Sequence, residues 1–120
     1  MTDQATPVDA PVPVPSGQVV TLLDVIHNEP GTEGLTVRYR FLAPAIAPGG
    51  AVDFEQAAVD MLHLCQTYAL PRVVSGGPRP VQIVISFSDA PVEFGAAVPE
   101  ITQFFEAYSL EGDTCIWEPF

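Results

Sequence analysis

The chain has no lysine, and its positive charge comes from four arginines set against fifteen aspartates and glutamates. The formal net charge of the 120 residues is −11 at pH 7. Such a field repels phosphate backbones and anionic lipids within the Debye length, so nucleic acid is a poor partner. Basic protein surfaces and cations are better partners, and the same charge also keeps a protein soluble.

Long apolar runs are missing as well. No stretch approaches the roughly 20 residues that span a bilayer, so direct membrane insertion is not expected. The first 17 residues also lack the basic and apolar regions of a signal peptide. This absence fits either a cytoplasmic protein or a chain numbered from its mature end.

Catalytic signatures are absent too: the chain contains no GxSxG, GxxxxGK or HExxH pattern. His63 and Cys65 are close in sequence, but a two-residue step turns a helix by about 200°. His63 is therefore expected on a wet face with Asp60, and Cys65 on the dry face, so one metal ion cannot take both. We predict a non-enzyme that binds no metal and no cofactor.

Proline dominates the start of the chain, with four prolines between residues 7 and 15. Because proline blocks helices and removes sheet donors, residues 1–17 are predicted to form a Pro-rich disordered tether. The remaining residues, 18–120, are enough for one domain. We expect that domain to begin near Gln18.

Three strands and one helix are predicted before residue 99. The strands are QVVTLLDVIH (18–27), the alternating LTVRYRFL (35–42) and VQIVISFS (81–88). Between the last two, Asp53 and Gln56 form a capping-box pattern, and Pro71 is expected to stop the helix. The predicted apolar stripe of that helix is Phe54, Ala58, Met61, Cys65 and Tyr68.

The last third has two interpretations. Residues 99–111 show helical spacing, yet Gly112 and Asp113 lie between two apolar runs, which is typical of a hairpin. We favour the hairpin, in which Leu110 pairs with Cys115 and Tyr108 pairs with Trp117. All four side chains then share one sheet face, and we expect the helix to cover it.

These elements predict an α+β, two-layer fold with one main helix on a mostly antiparallel sheet of about five strands, in the order ββαβββ. Cys65 points inward from the helix and Cys115 from the last strand. The two sulfurs can form a disulfide if the elements pack together, or remain separate buried thiols. Redox catalysis is not expected, since there is no CxxC motif.

Arg38 and Arg40 share one strand face and carry half of the positive charge. Such a pair can bind a carboxylate or phosphate ligand, or contact a partner. We favour the alternative that the pair neutralises acids within the chain, because residues 89–120 carry seven acids and no base.

Several segments resemble an uncharacterised domain family of Rhodobacter-type alphaproteobacteria. They are LTVRYRFLAPAIA, DMLHLCQTYALPR, PVQIVISFSDAPVEFG and PEITQFFEAYSLEGDTCIWEPF, and the resemblance covers about residues 16–120. It implies a periplasmic domain in which Cys65 and Cys115 are bridged. Some members are labelled acetolactate synthase, but a thiamine-diphosphate enzyme needs a GDG motif and far larger domains.

Two functions follow as hypotheses. The first is a non-catalytic periplasmic accessory or protein-interaction module that docks on an unknown protein partner within a larger complex. This hypothesis predicts an exposed apolar patch or an open sheet edge. The alternative is a small-anion-binding or regulatory subunit of a larger enzyme, located in the cytoplasm, that uses Arg38 and Arg40.

Overall fold

A computed structural model describes residues 11–30, 35–75, 80–93, 96 and 98–118. Its strands are β1 (Thr21–Pro30), β2 (Leu35–Leu42), β3 (Gln82–Ser88), β4 (Gln103–Glu111) and β5 (Thr114–Glu118). The helical part comprises a 3₁₀ turn (Pro44–Ile46), α1 (Phe54–Leu64), a π-helical turn (Cys65–Ala69) and α2 (Leu70–Ser75). The predicted α+β class is confirmed.

The sheet is mixed, with the strands in chain order from β1 to β5. Three neighbouring pairs are antiparallel, and β2 with β3 is parallel. The prediction of a mostly antiparallel sheet did not include this parallel pair. It arises because the helical segment carries the chain back along the sheet before β3 begins, which is the usual route between parallel neighbours.

The helix begins as predicted but continues past its expected end. The Asp53 carboxylate accepts from the Gln56 backbone N–H at 2.9 Å, and the Gln56 side chain accepts from the Asp53 N–H, which confirms the capping box. Pro71 lies inside α2 instead of stopping the helix. A proline ring conflicts with the preceding helical turn, and the chain widens there: the Leu70 N–H donates to the Cys65 carbonyl, five residues back.

The core lies between this helix and one face of the sheet. The helix contributes Ala57, Met61, Leu64, Cys65 and Ala69, and the three central strands contribute Val37, Tyr39, Phe41, Ile83, Ile85, Phe87 and Tyr108. The helix therefore faces the sheet through a stripe rotated from the predicted one, since Phe54 is nearly half exposed.

Residues 11–17 pack against the domain instead of extending away from it as a tether. The Val12 N–H donates to the Val20 carbonyl at 2.7 Å, and Val12 and Val14 contact the core. Among the described residues, the packed region therefore extends N-terminal of Gln18, at least as far as Pro11. The tether predicted for residues 1–10 lies outside the described residues.

Asp60 anchors this N-terminal arm. Its carboxylate is fully buried on α1 and accepts from the Ser16 N–H (3.0 Å), the Ser16 hydroxyl (2.5 Å) and the Gln18 side-chain amide (2.8 Å). The expectation of a solvated Asp60 is therefore wrong. A buried carboxylate needs such partners, and a polar turn of the Pro-rich arm supplies them.

Candidate functional site

The last hairpin has the register predicted from its turn. Gly112 and Asp113 form the turn, with Gly112 at a φ of +60°, in the left-handed region that glycine adopts readily. Leu110 pairs with Cys115 and Tyr108 with Trp117, so the hairpin interpretation of the last third is confirmed. The four side chains therefore share the sheet face on which the helix lies.

The disulfide between Cys65 and Cys115 is present, and both cysteines are buried. It joins the π-helical turn to β5, the strand at the sheet edge. Beside it, the Gln66 side chain accepts from the Cys115 N–H at 3.0 Å and donates to the Asp113 carbonyl. The Gln66 side-chain amide bonds to the β5 backbone as the peptide group of a further strand would. It therefore blocks part of the β5 edge against pairing with another strand.

The helix does not cover the whole face, and the prediction that it would is wrong at Trp117. Two residues beyond the disulfide, Trp117 is 53% exposed at the sheet edge. On the facing side of α1, Val59 is 58% exposed, Phe54 46% and Leu62 42%. Between them lies a groove of about 350 Å³, lined by Phe54, Ala58, Val59, Leu62, Glu106, Tyr108 and Trp117; we call it the α1–β5 groove.

The walls of the groove are held in place by specific contacts. Phe54 meets Phe104 edge to face, with ring centroids 5.1 Å apart. The Trp117 indole N–H donates to the Glu106 carboxylate at 2.7 Å, across the hairpin. Tyr108 forms part of the floor, where burial first, and then the Glu106 carboxylate, raise the pKa of its hydroxyl well above the usual value, so the phenol is neutral at physiological pH.

The two arginines of the anion hypothesis lie on the other face of the sheet. Arg40 is buried; it donates to the Asp24 carboxylate at 2.7 Å and to the Val92 carbonyl. It lines a cavity of about 590 Å³ in which Asp24 and Glu93 are the other charged residues. An incoming anion would meet two carboxylates there, so the geometry favours an internal role for Arg40.

Arg38 is half-buried on the same face as Arg40, and its backbone pairs with Ile26 and Val84. The use of Arg38 and Arg40 as an anion or partner contact stays a prediction. Asp24, which pairs with Arg40, belongs to β1, whereas the sequence predicted pairing with acids in residues 89–120.

In the ranges that the structure describes, no three His, Cys, Asp or Glu side chains come together as metal ligands. No helix within the same ranges is long and apolar enough to cross a membrane.

The sequence carries a signal for the groove in its helix. Val59 and Leu62 are apolar residues outside the predicted helix stripe, and a helix with surplus apolar residues needs a second surface to pack against. Trp117 is predicted to lie under the helix because the hairpin register puts it on the same sheet face as Tyr108, Leu110 and Cys115. Strand pairing determines which face of the sheet Trp117 occupies, but not how much of that face the helix covers.

The fold and the groove define a two-layer α+β domain with one disulfide and an apolar groove at the edge of its sheet. The chain belongs to DUF6497, a family of unknown function whose model matches residues 1–120. No curated protein and no solved structure matches the chain significantly.

Proposed function

We propose that the protein is a non-catalytic interaction module that binds a segment of another protein in the α1–β5 groove, as an accessory part of a larger complex. The observation that carries this proposal is the set of four large apolar side chains, Phe54, Val59, Leu62 and Trp117, that are about half exposed around one groove. Apolar surface gathered in this way is typical of a docking site, whereas scattered apolar residues are not.

The structure of the groove walls supports a binding role. One wall is a helix and the other a disulfide-held strand, so a ligand segment meets surfaces that are already ordered. Preorganised surfaces lose little conformational entropy on binding. Tryptophan is among the residue types enriched at the energetic centre of interfaces, and Trp117 is half exposed in this groove.

A periplasmic location is part of the proposal. Disulfides persist in oxidising compartments and are rare in the bacterial cytoplasm, and the Cys65–Cys115 bridge closes a 50-residue separation in the chain. Intact-mass measurement with thiol labelling on protein from its own host tests this: loss of both thiol hydrogens and no labelling is the expected result. Two labelled thiols in a cytoplasmic pool would contradict it.

Leu62→Asp is expected to remove the partner from protein isolated under native conditions. A charge in the groove must be desolvated against apolar surface when the partner docks. The matched control is Leu35→Asp, because Leu35 is exposed to a similar extent (44% against 42%) but lies at the start of β2, outside the groove. Quantitative mass spectrometry of proteins that co-purify from the native host compares the two variants with the wild type.

The expected pattern is a protein retained by the wild type and by Leu35→Asp, and reduced at least about tenfold by Leu62→Asp, which corresponds to about 1.4 kcal/mol of binding free energy. Circular dichroism and a urea titration establish that both variants are folded. Equal retention by the two folded variants would show that the groove is not the docking surface.

A further inference from the structure

We infer that the segment bound in the α1–β5 groove is basic and amphipathic: it places apolar side chains between α1 and β5 and at least one Lys or Arg against Glu106. This inference deepens the proposed function and rests on it. It assigns the chemistry of the partner, which neither the family nor the fold specifies.

The Glu106 carboxylate is the reason to expect a positive charge on the partner segment. Among the described residues that line the groove it is the only carboxylate, and it is half-buried beside Tyr108 and Trp117. Its Oε2 atom accepts from the Trp117 indole, while Oε1 bonds to none of the described residues. A cation that reaches this carboxylate from the partner forms a charge-assisted hydrogen bond in surroundings less polar than water.

Two exposed acids close to groove residues carry the same sign as Glu106. Glu55 follows Phe54 in the first turn of α1. The Asp113 backbone bonds to Gln66, one helical turn beyond Leu62. An apolar groove with a carboxylate in its lining, in a chain of net charge −11, is complementary to an amphipathic segment that carries basic residues.

The described arginines lie away from the groove. Arg38 and Arg40 are on the opposite face of the sheet, and Arg72 lies over the Tyr68 ring, with its guanidinium carbon 3.5 Å from the ring centre. None of the three lines the groove. A second copy of this chain is therefore a poor occupant, because two molecules of net charge −11 would meet through acidic grooves.

The only tryptophan of the chain, Trp117, makes the test direct. The probe is a synthetic amphipathic helix without tryptophan, made of leucine on one face and lysine on the other. Its control has glutamate in place of every lysine. Both are titrated into the full chain while Trp117 emission is recorded, at low and at high salt, and with the Glu106→Gln variant.

The lysine peptide is expected to shift Trp117 emission to shorter wavelength and to bind at least about tenfold more tightly than the glutamate peptide. Added salt and Glu106→Gln should each reduce this preference, because both weaken the charge contact. Equal binding of the two peptides, or no response to either, would overturn the inference about charge.

Two further results would assign a different occupant and also overturn the inference. A blue shift that grows with protein concentration alone, together with a dimer in sedimentation velocity, would assign the groove to a second copy. A shift to longer wavelength on removal of residues 119–120 would assign it to the chain's own end. The co-purification experiment with Leu62→Asp is independent of peptide charge, so the proposed function can hold where this inference fails.

Discussion

Replacing Cys65 and Cys115 together by alanine is expected to lower the free energy of unfolding by about 4 kcal/mol. In the chain-entropy description, a bridge that closes about 50 residues restricts the unfolded chain by this amount. A domain of ordinary stability has only about 5–15 kcal/mol in total, so the variant should be marginally folded at physiological temperature. Urea titrations of the wild type and the variant measure the difference.

The reduced wild type is the control that separates the bridge from side-chain packing. Reduction breaks the bond but leaves both sulfurs in the core, whereas alanine also removes buried atoms. We expect the reduced protein to lose most of the 4 kcal/mol and the alanine variant slightly more. A loss below about 1 kcal/mol in both would contradict a structural role for the bridge.

Loss of the Cys65–Cys115 bridge should also weaken partner binding. β5 is an edge strand held to the helix by the disulfide and by Gln66, and it carries Trp117. Without the bridge, this strand loses a covalent constraint two residues from the indole. Hydrogen exchange at Thr114–Glu118 should then increase more than exchange in the central strand β3.

Asp60→Ala is expected to cost about 3 kcal/mol and to release residues 11–17 from the domain. Hydrogen bonds to a charged group contribute roughly 1.5–3 kcal/mol each, and three of them end on this carboxylate, although their effects are not additive. Release of the arm also exposes Val12 and Val14 to water. A urea titration gives the total loss, and hydrogen exchange at Val12 and Gly17 shows whether the arm has detached.

Ser16→Ala provides the matched control for Asp60. It removes one donor and leaves the carboxylate buried, so it should also destabilise the protein. The double variant Ser16→Ala, Asp60→Ala should be less destabilised than the sum of the two single changes, because both act on one network. Additive effects, or an Asp60→Ala loss within about 0.5 kcal/mol, would mean that Asp60 does not hold the arm.

Local signals in the chain were sufficient for much of the fold. The Asp53–Gln56 pattern defines the start of the helix, and the Gly112–Asp113 turn defines the register that brings Cys115 under the helix. Each depends on residues that are near neighbours in sequence, where backbone geometry leaves few choices. The disulfide then followed as one of two open outcomes, because both cysteines were placed on facing surfaces.

The features that were missed depend on contacts between distant segments. Nothing in the Pro-rich arm indicates that Ser16 and Gln18 return to a helix more than forty residues away. The position of Asp60, three residues after the buried Ala57 and four before the buried Leu64, was a helix-face signal for burial, but its charge argued the other way. The extent of the helix over β5, which leaves Trp117 uncovered, is likewise a property of the assembled layers.

The most direct test of the groove as a docking site is site-specific photo-crosslinking in the native host. A photoreactive residue at Val59 is compared with one at Val19, since the two valines are almost equally exposed (58% and 61%) and only Val59 lines the groove. A discrete crosslink to one partner protein is expected from position 59, abolished by Leu62→Asp, with none to that partner from position 19. Equal crosslinking from both positions, or a crosslink from position 59 that persists in the Leu62→Asp background, would contradict docking in the groove.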